Sequence, residues 1–123
     1  MILADSSVWI DHIRAPIAAL DRALDERLLF CHPIVIGEVA CGNLRDRLML
    51  SAMFDLPQAM IVDHFEVFHL IEQRRWMGKG AGYMDLHLLS SAMLSDLKLW
   101  TRDKRLASLA SELGLQYEPN PLH

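Results

Sequence analysis

Cysteine is scarce in this chain of 123 residues, and Cys31 and Cys41 are the only two. They supply neither a disulfide framework nor a spaced set of thiolates for zinc, and among apolar neighbours both read as buried small hydrophobes. A long apolar run is missing as well. The most apolar stretch, Leu28 to Leu44, is interrupted by His32, Pro33 and Glu38, which excludes a helix spanning a bilayer there. No basic leader followed by an apolar segment stands at the start, so no secretory signal is read and the cytosol is the expected location. Six glycines and five prolines are too few for a linker or a low-complexity tract, and the length suits one domain over residues 1–123. An excess of positive charge is absent too. Sixteen acidic against twelve basic residues leave a net charge of −4, which argues against a protein that coats nucleic acid. An acidic metal site remains compatible with that balance, because a bound divalent ion inverts the local field.

What is present begins at the N-terminus. Ile2, Leu3 and Ala4 run straight into Asp5, two hydroxyls follow, and Val8, Trp9 and Ile13 recur at helical spacing. This predicts a short buried strand that ends in a carboxylate and passes at once into a helix. A second amphipathic helix is expected from Pro16, a strand over Leu28–Cys31, and an apolar helix over Ile34–Cys41 that stops at Gly42-Asn43. Further helices are expected over Leu44–Phe54, His64–Met77, Asp85–Leu94 and Asp103–Leu113. Ala59–Val62 and Lys98–Thr101 read as strands and Leu115–Tyr117 as an edge strand, while Pro119 and Pro121 leave the tail without an element. Short apolar strands alternating with helices predict a three-layer α/β/α sandwich around a short parallel sheet.

Four carboxylates fall in telling places. Asp5 and Asp103 follow short strands directly, and chemistry in open α/β sheets sits beyond the carboxyl ends of strands. Glu38 is the only charged residue between Pro33 and Leu44, and burying an ionised carboxylate among Ile34, Val35, Ile36 and Val39 costs free energy unless it is paired. Asp85 opens the apolar helix that follows the Gly78–Gly82 loop. Taken singly, Asp5, Asp85 and Asp103 are equally good helix caps, and Glu38 equally suits the outer side of a half-exposed helix. If the four converge, their repulsion raises some of their pKa values, and a hard divalent cation removes it. An all-oxygen donor set suits Mg²⁺ or Mn²⁺ rather than zinc, and hydrolysis of a phosphodiester is the chemistry that follows.

The segments Asp5-Ser6-Ser7-Val8-Trp9-Ile10-Asp11, Glu38, Met84-Asp85-Leu86-His87-Leu88-Leu89-Ser90-Ser91-Ala92 and Leu99-Trp100-Thr101-Arg102-Asp103 together resemble a PIN domain. They are most similar to the VapC-type ribonuclease toxins of toxin–antitoxin modules, and the resemblance spans nearly the whole chain. It implies a Mg²⁺- or Mn²⁺-dependent endoribonuclease with Asp5, Glu38, Asp85 and Asp103 as the acidic residues. Ser6 and Thr101 fall where hydroxyls orient ligands by hydrogen bonds. A cognate antitoxin, an RNA substrate, a homodimer and no membrane attachment are the partner expectations. Met49, Met53 and Phe54 are candidates for the antitoxin contact. Arg102, Lys104 and Lys79 are candidates for phosphate contacts, against the alternative of ordinary solvated surface.

The remaining features carry less. Among His12, His32, His64, His69 and His87 only His64 and His69, five apart, have a convincing ligand spacing, and a surface or core role is the expected one. Trp76 stands beside the glycine loop where it could stack a base, although packing is its default role. A phosphatase of another α/β fold is disfavoured, since no second acid stands two residues after Asp5. The non-enzymatic alternative is an inactive module that binds RNA or antitoxin.

Overall fold

The computed structural model describes residues 1–119, so the expectation about Pro121 and the end of the tail lies outside the described residues. Strands β1 (Ile2–Ala4), β2 (Leu29–Phe30) and β3 (Lys98–Trp100) form a parallel sheet in the order β2-β1-β3. Ile2 lies opposite Leu29 on one side and Lys98 on the other, and Ala4 lies opposite Trp100. Parallel pairing obliges each connection to cross over. Here α1 (Ser6–Arg14) and α2 (Ala18–Asp25) lead to β2, and α3 (Pro33–Ala40), α4 (Leu48–Asp55), α5 (His64–Arg74) and α6 (Tyr83–Leu94) lead to β3. The helix α7 (Lys104–Glu112) follows β3.

Successive side chains of a strand point to opposite faces, and all three residues of β1 are buried. Both faces of the central strand are therefore covered, as the α/β/α expectation requires. Leu3, Val8, Leu20, Leu89, Leu99 and Leu106 are each 0% exposed and belong to one continuous apolar cluster. That cluster fixes the carboxyl end of β1, and with it the position of Asp5.

Several expectations need correction. Ala59–Val62 is not a strand. Only Gln58 bridges Cys31, with Cys31 N–H donating to Pro57 O at 2.8 Å and Ala59 N–H donating to Cys31 O at 2.8 Å. Pairing stops there because Met60 and Ile61 face solvent and the Met60 N–H turns to Ser95 Oγ at 2.8 Å. Leu115–Tyr117 likewise contributes a single bridge, from Gln116 to Leu99. The helix expected from Leu44 starts at Leu48, after a loop in which Leu48 N–H donates to Asp46 Oδ1. Cys41 is exposed, not buried, whereas Cys31 is buried as expected. Trp76 is 3% exposed and packs in the core, which removes it as a stacking platform.

α5 ends at Arg75, whose φ of 59° and ψ of 45° place it in the left-handed region. A side chain costs about 1–2 kcal/mol there, and glycine avoids that penalty at a smaller entropic cost. Arg75→Gly is expected to raise stability by about 0.5–1 kcal/mol in urea unfolding. A variant no more stable than the parent would show that the Arg75 side chain holds the turn in some other way.

Candidate active site

Asp5 ends β1 and caps α1, which explains why one residue belongs to both the sheet edge and the helix. Its Oδ1 accepts a hydrogen bond from Val8 N–H at 3.3 Å and from the Ser7 hydroxyl at 2.5 Å, while Oδ2 accepts one from the Thr101 hydroxyl. The same two hydroxyls receive the loop that follows β3. Ser7 Oγ accepts Arg102 N–H at 2.9 Å, and Thr101 Oγ1 accepts Asp103 N–H at 3.1 Å. Thr101, named from the sequence, and Ser7, which was not, are the two hydroxyls that bond Asp5. Ser6, one residue earlier on α1, lies beside Glu38 and draws its pKa down. Asp5 is 5% exposed. Burial pushes its carboxyl above the usual range, and the hydrogen bonds from Ser7, Thr101 and Val8 pull it back.

Glu38 reaches the site for a different reason from the one its neighbours suggest. α3 buries Val35, Ile36 and Val39, while Gly37 and Glu38 lie on its exposed side. The carboxylate is therefore not stranded among apolar side chains. It faces the other acids. Partial desolvation raises its pKa first, then Asp85; Ser6 opposes both, and Asp5 adds a further rise.

Asp85 is the third residue of α6 and not its cap, a position held by Gly82. Its carboxyl is raised by desolvation, then by Asp103 and Asp5, against a hydrogen bond from the Gly82 N–H. Asp103 does cap its helix. Its Oδ1 accepts Arg105 N–H at 2.9 Å and Leu106 N–H at 3.0 Å.

The repulsions link Asp5 to Glu38 and Asp85, Glu38 to Asp85, and Asp85 to Asp103. Effects of this kind fade beyond several ångströms, so β1, α3, α6 and the β3–α7 turn deliver four carboxylates to one edge. Among the described residues no three acidic, histidine or cysteine groups close on a single point as they stand. The donor set itself, four carboxylates with the Ser7 and Thr101 hydroxyls behind one of them, has the hard-oxygen chemistry of a Mg²⁺ or Mn²⁺ site.

The basic residues expected nearby divide into two groups. Arg102 Nη1 bonds Asp11 Oδ2 at 2.9 Å, whereas Lys79 and Lys104 line a cavity beside α7. His32 is a core residue. Its Nδ1 accepts Ile34 N–H at 3.0 Å and its Nε2 meets Ser91 Oγ at 3.0 Å. Burial, then the charge of His87, lowers its pKa to about 4.

A short parallel sheet that gathers acids from four elements at its carboxyl edge defines a class of acidic-site α/β domain. Residues 2–112 match the sequence model of the PIN domain, and the chain belongs to the PIN domain family. It is a VapC-type member, since ribonuclease VapC32 of Mycobacterium tuberculosis is 44% identical over 117 residues, covering 94% of each chain, in both strains compared. In fold it is similar to the crystal structure of PAE2754 from Pyrobaculum aerophilum, with a TM-score of 0.57 and 18% identity over 94% of this chain and 90% of that one.

The raised pKa of Glu38 has a consequence for stability. A carboxylate whose pKa is higher folded than unfolded destabilises the fold above that pKa, and the penalty disappears as pH falls through it. Glu38 also stands near the carboxyl end of α3, where the helix dipole disfavours negative charge. Glu38→Gln should therefore raise the Tm of the metal-free protein at pH 7 by on the order of 1–3 °C, a small gain because solvent screens an exposed side chain. The gain should vanish as the pH drops through the carboxylate range in thermal scans. A Tm that does not move at pH 7 would mean that the acids do not repel one another.

Proposed function

We propose that this chain is a Mg²⁺- or Mn²⁺-dependent endoribonuclease whose ion is held by Asp5, Glu38, Asp85 and Asp103. The wider reading rests on kinship: at 44% identity to ribonuclease VapC32 across 94% of both chains, the protein is an endoribonuclease toxin of a toxin–antitoxin module. The finer reading is carried by one arrangement, the placement of Asp5, Asp85 and Asp103 so close to Glu38 or to one another that their charges add to the larger effect of burial in raising the carboxyls of Glu38 and Asp85. Acids gathered against their own repulsion are a site prepared for a cation.

Each residue then has a task. Asp5 is the fixed ligand, because Ser7, Thr101 and the Val8 N–H leave its carboxylate no freedom to turn. Glu38, exposed on α3, and Asp85, half-buried on α6, would have to turn toward Asp5 to hold the ion with it. Asp103 offers the oxygen that its capping bonds leave free. A bound divalent ion supplies Lewis-acid polarisation of the phosphodiester and of the attacking water. No histidine general base is required. Arg102, Lys104 and Lys79 supply positive charge to the RNA backbone, with Arg102 first having to leave Asp11.

Asp5→Asn and Asp85→Asn are each expected to abolish saturable Mn²⁺ binding to antitoxin-free protein and to lower RNA cleavage at least about a hundredfold. Growth arrest on expression should vanish with them. Unchanged Mn²⁺ titrations would remove these acids from the ion site, and arrest that persists with Asp85→Asn would favour an inactive binding module.

Of Met49, Met53 and Phe54, the structure removes only Met53 as a direct antitoxin contact. Met53 is 1% exposed and belongs to the core, so shortening it tests the fold and not the contact. Phe54 is 59% exposed but does not line the groove. An apolar groove of about 460 Å³ is bordered by Trp9, Leu24, Leu48, Met49, Ala52 and Leu56, with Met53 beneath. Among the described residues Trp9 Nε1 is buried without a hydrogen-bond partner, so Trp9 presents ring carbons and not its donor to the groove. A homodimer is supported by the exposed apolar face of Ile61, Phe65 and Phe68, a surface of the type buried between copies. Among the described residues no helix is long and apolar enough to cross a membrane, and a toxin acting on cellular RNA works in the cytoplasm. Leu48→Ala combined with Met49→Ala should weaken antitoxin binding by about tenfold or more while the Tm stays near that of the parent. Equal affinity in calorimetric titration would place the antitoxin elsewhere.

A further inference from the structure

A feature of opposite charge adjoins the acidic edge. The loop between α5 and α6 turns through Gly78 at φ 69° and Gly80 at φ 84°. At Gly80 it crosses the side chain of Arg105. A Cβ placed on Gly80 would stand 2.6 Å from Arg105 Cδ, 3.0 Å from Nε and 3.3 Å from Cζ. The positive φ favours glycine at this position, and the missing Cβ lets the Arg105 side chain lie against the loop.

Arg105 does not stand alone. With Lys79 from the loop and Lys104 from α7 it lines a cavity of about 240 Å³, completed by Ser108, Leu109 and Glu112. Among the described residues none of these three cations has a carboxylate within salt-bridge distance, whereas Arg102 is committed to Asp11. The cavity is smaller than the roughly 300 Å³ at which pockets for drug-sized ligands begin, so it suits a phosphate and not a whole nucleotide. Its place in the chain decides which phosphate. Lys104 and Arg105 directly follow Asp103, whose carboxylate belongs to the acidic edge. A free anion approaching that edge is repelled. A polyanion anchored at the scissile bond carries its neighbouring phosphate in regardless.

We infer that Lys79, Lys104 and Arg105 form a subsite for an RNA backbone phosphate flanking the scissile one, and that Arg105, presented by Gly80, is its positioning residue. The inference rests on the ribonuclease reading. It assigns a role to the glycine loop and to Arg105. The subsite orients the strand and leaves the bond-breaking step to the carboxylates, so its loss should appear in KM and in salt dependence before it appears in kcat.

The test uses full-length Asp85→Asn protein, which does not consume its ligand, and a labelled single-stranded 12-mer RNA titrated over a series of salt concentrations. Arg105→Ala should weaken binding about 5- to 10-fold and reduce the slope of log K against log salt by about 0.7, the loss of one single-strand phosphate contact. Arg105→Lys should restore most of the slope. Gly80→Ala, checked for folding by circular dichroism, should lose affinity although Arg105 is still present. In the Asp85 background, Arg105→Ala should raise KM for total cellular RNA with kcat nearly unchanged. An unaltered slope and KM in Arg105→Ala would overturn the subsite while leaving the nuclease intact. A reduced slope in a protein that cleaves no RNA would support the subsite and count against the nuclease. Inorganic phosphate displacing the 12-mer at low millimolar concentration would overturn the strand reading in favour of a small-anion site.

Discussion

The grip of two hydroxyls on one buried carboxylate is the interaction on which the rest of this structure turns. Asp5 ends the central strand, and Ser7 and Thr101 hold both of its oxygens. Ser7 comes from the helix that follows β1, and Thr101 from the turn that follows β3. Their oxygens in turn accept the N–H groups of Arg102 and Asp103. The polar network therefore joins two adjacent parallel strands at their carboxyl ends, where the ladder itself has run out of partners. Without the hydroxyls, a carboxylate that is 5% exposed would bear its desolvation with little compensation. Satisfied, it becomes a rigid point against which Glu38 and Asp85 are measured.

Rigidity at Asp5 is matched by freedom opposite it. Glu38 lies on the exposed side of α3 and Asp85 on the first turn of α6, and both are held close to like charge. Folding thus stores a modest electrostatic tension at the edge, supplied by the core that packs α3 and α6 in place. A cation held among these carboxylates would release it. That asymmetry is consistent with a site in which no three ligands are already closed on one point. Pre-closing the ligands without an ion would cost far more repulsion than the fold needs to bear.

Much of this was legible in the sequence. An apolar triplet running into Asp5 marks a strand end, and Leu99-Trp100-Thr101 before Asp103 marks another, because strand burial and helix capping leave local signatures. Glu38 was noticed for a reason that failed. Its neighbours in sequence are buried, yet at 100° per residue it points away from them beside Gly37. Ser7 was missed because adjacent helix positions differ only in direction, and direction is set by how α1 docks. Met53 shows the same limit on α4, where an apolar helix on both sides gives no pattern to separate core from groove. Ala59–Val62 has strand composition, but its backbone N–H at Met60 finds Ser95 instead of a neighbouring strand. Tertiary partners decided each of these cases.

Net charge conceals more than it tells. At −4 overall the chain looks ill suited to RNA, but field lines near a surface follow the nearest charges and are screened within about 8–10 Å. Asp103 of the acidic edge is followed directly in the chain by Lys104 and Arg105, which line a cavity with Lys79. Asp103 N-caps α7, and one turn of chain separates a cation-binding surface from an anion-binding one. Such a boundary is selective in a way that a uniformly basic face is not. Small anions are turned away by the carboxylates, and isolated cations gain nothing from the lysines. A polyanion that brings a divalent ion to one of its phosphates satisfies both surfaces at once, which is the physical description of RNA poised for cleavage.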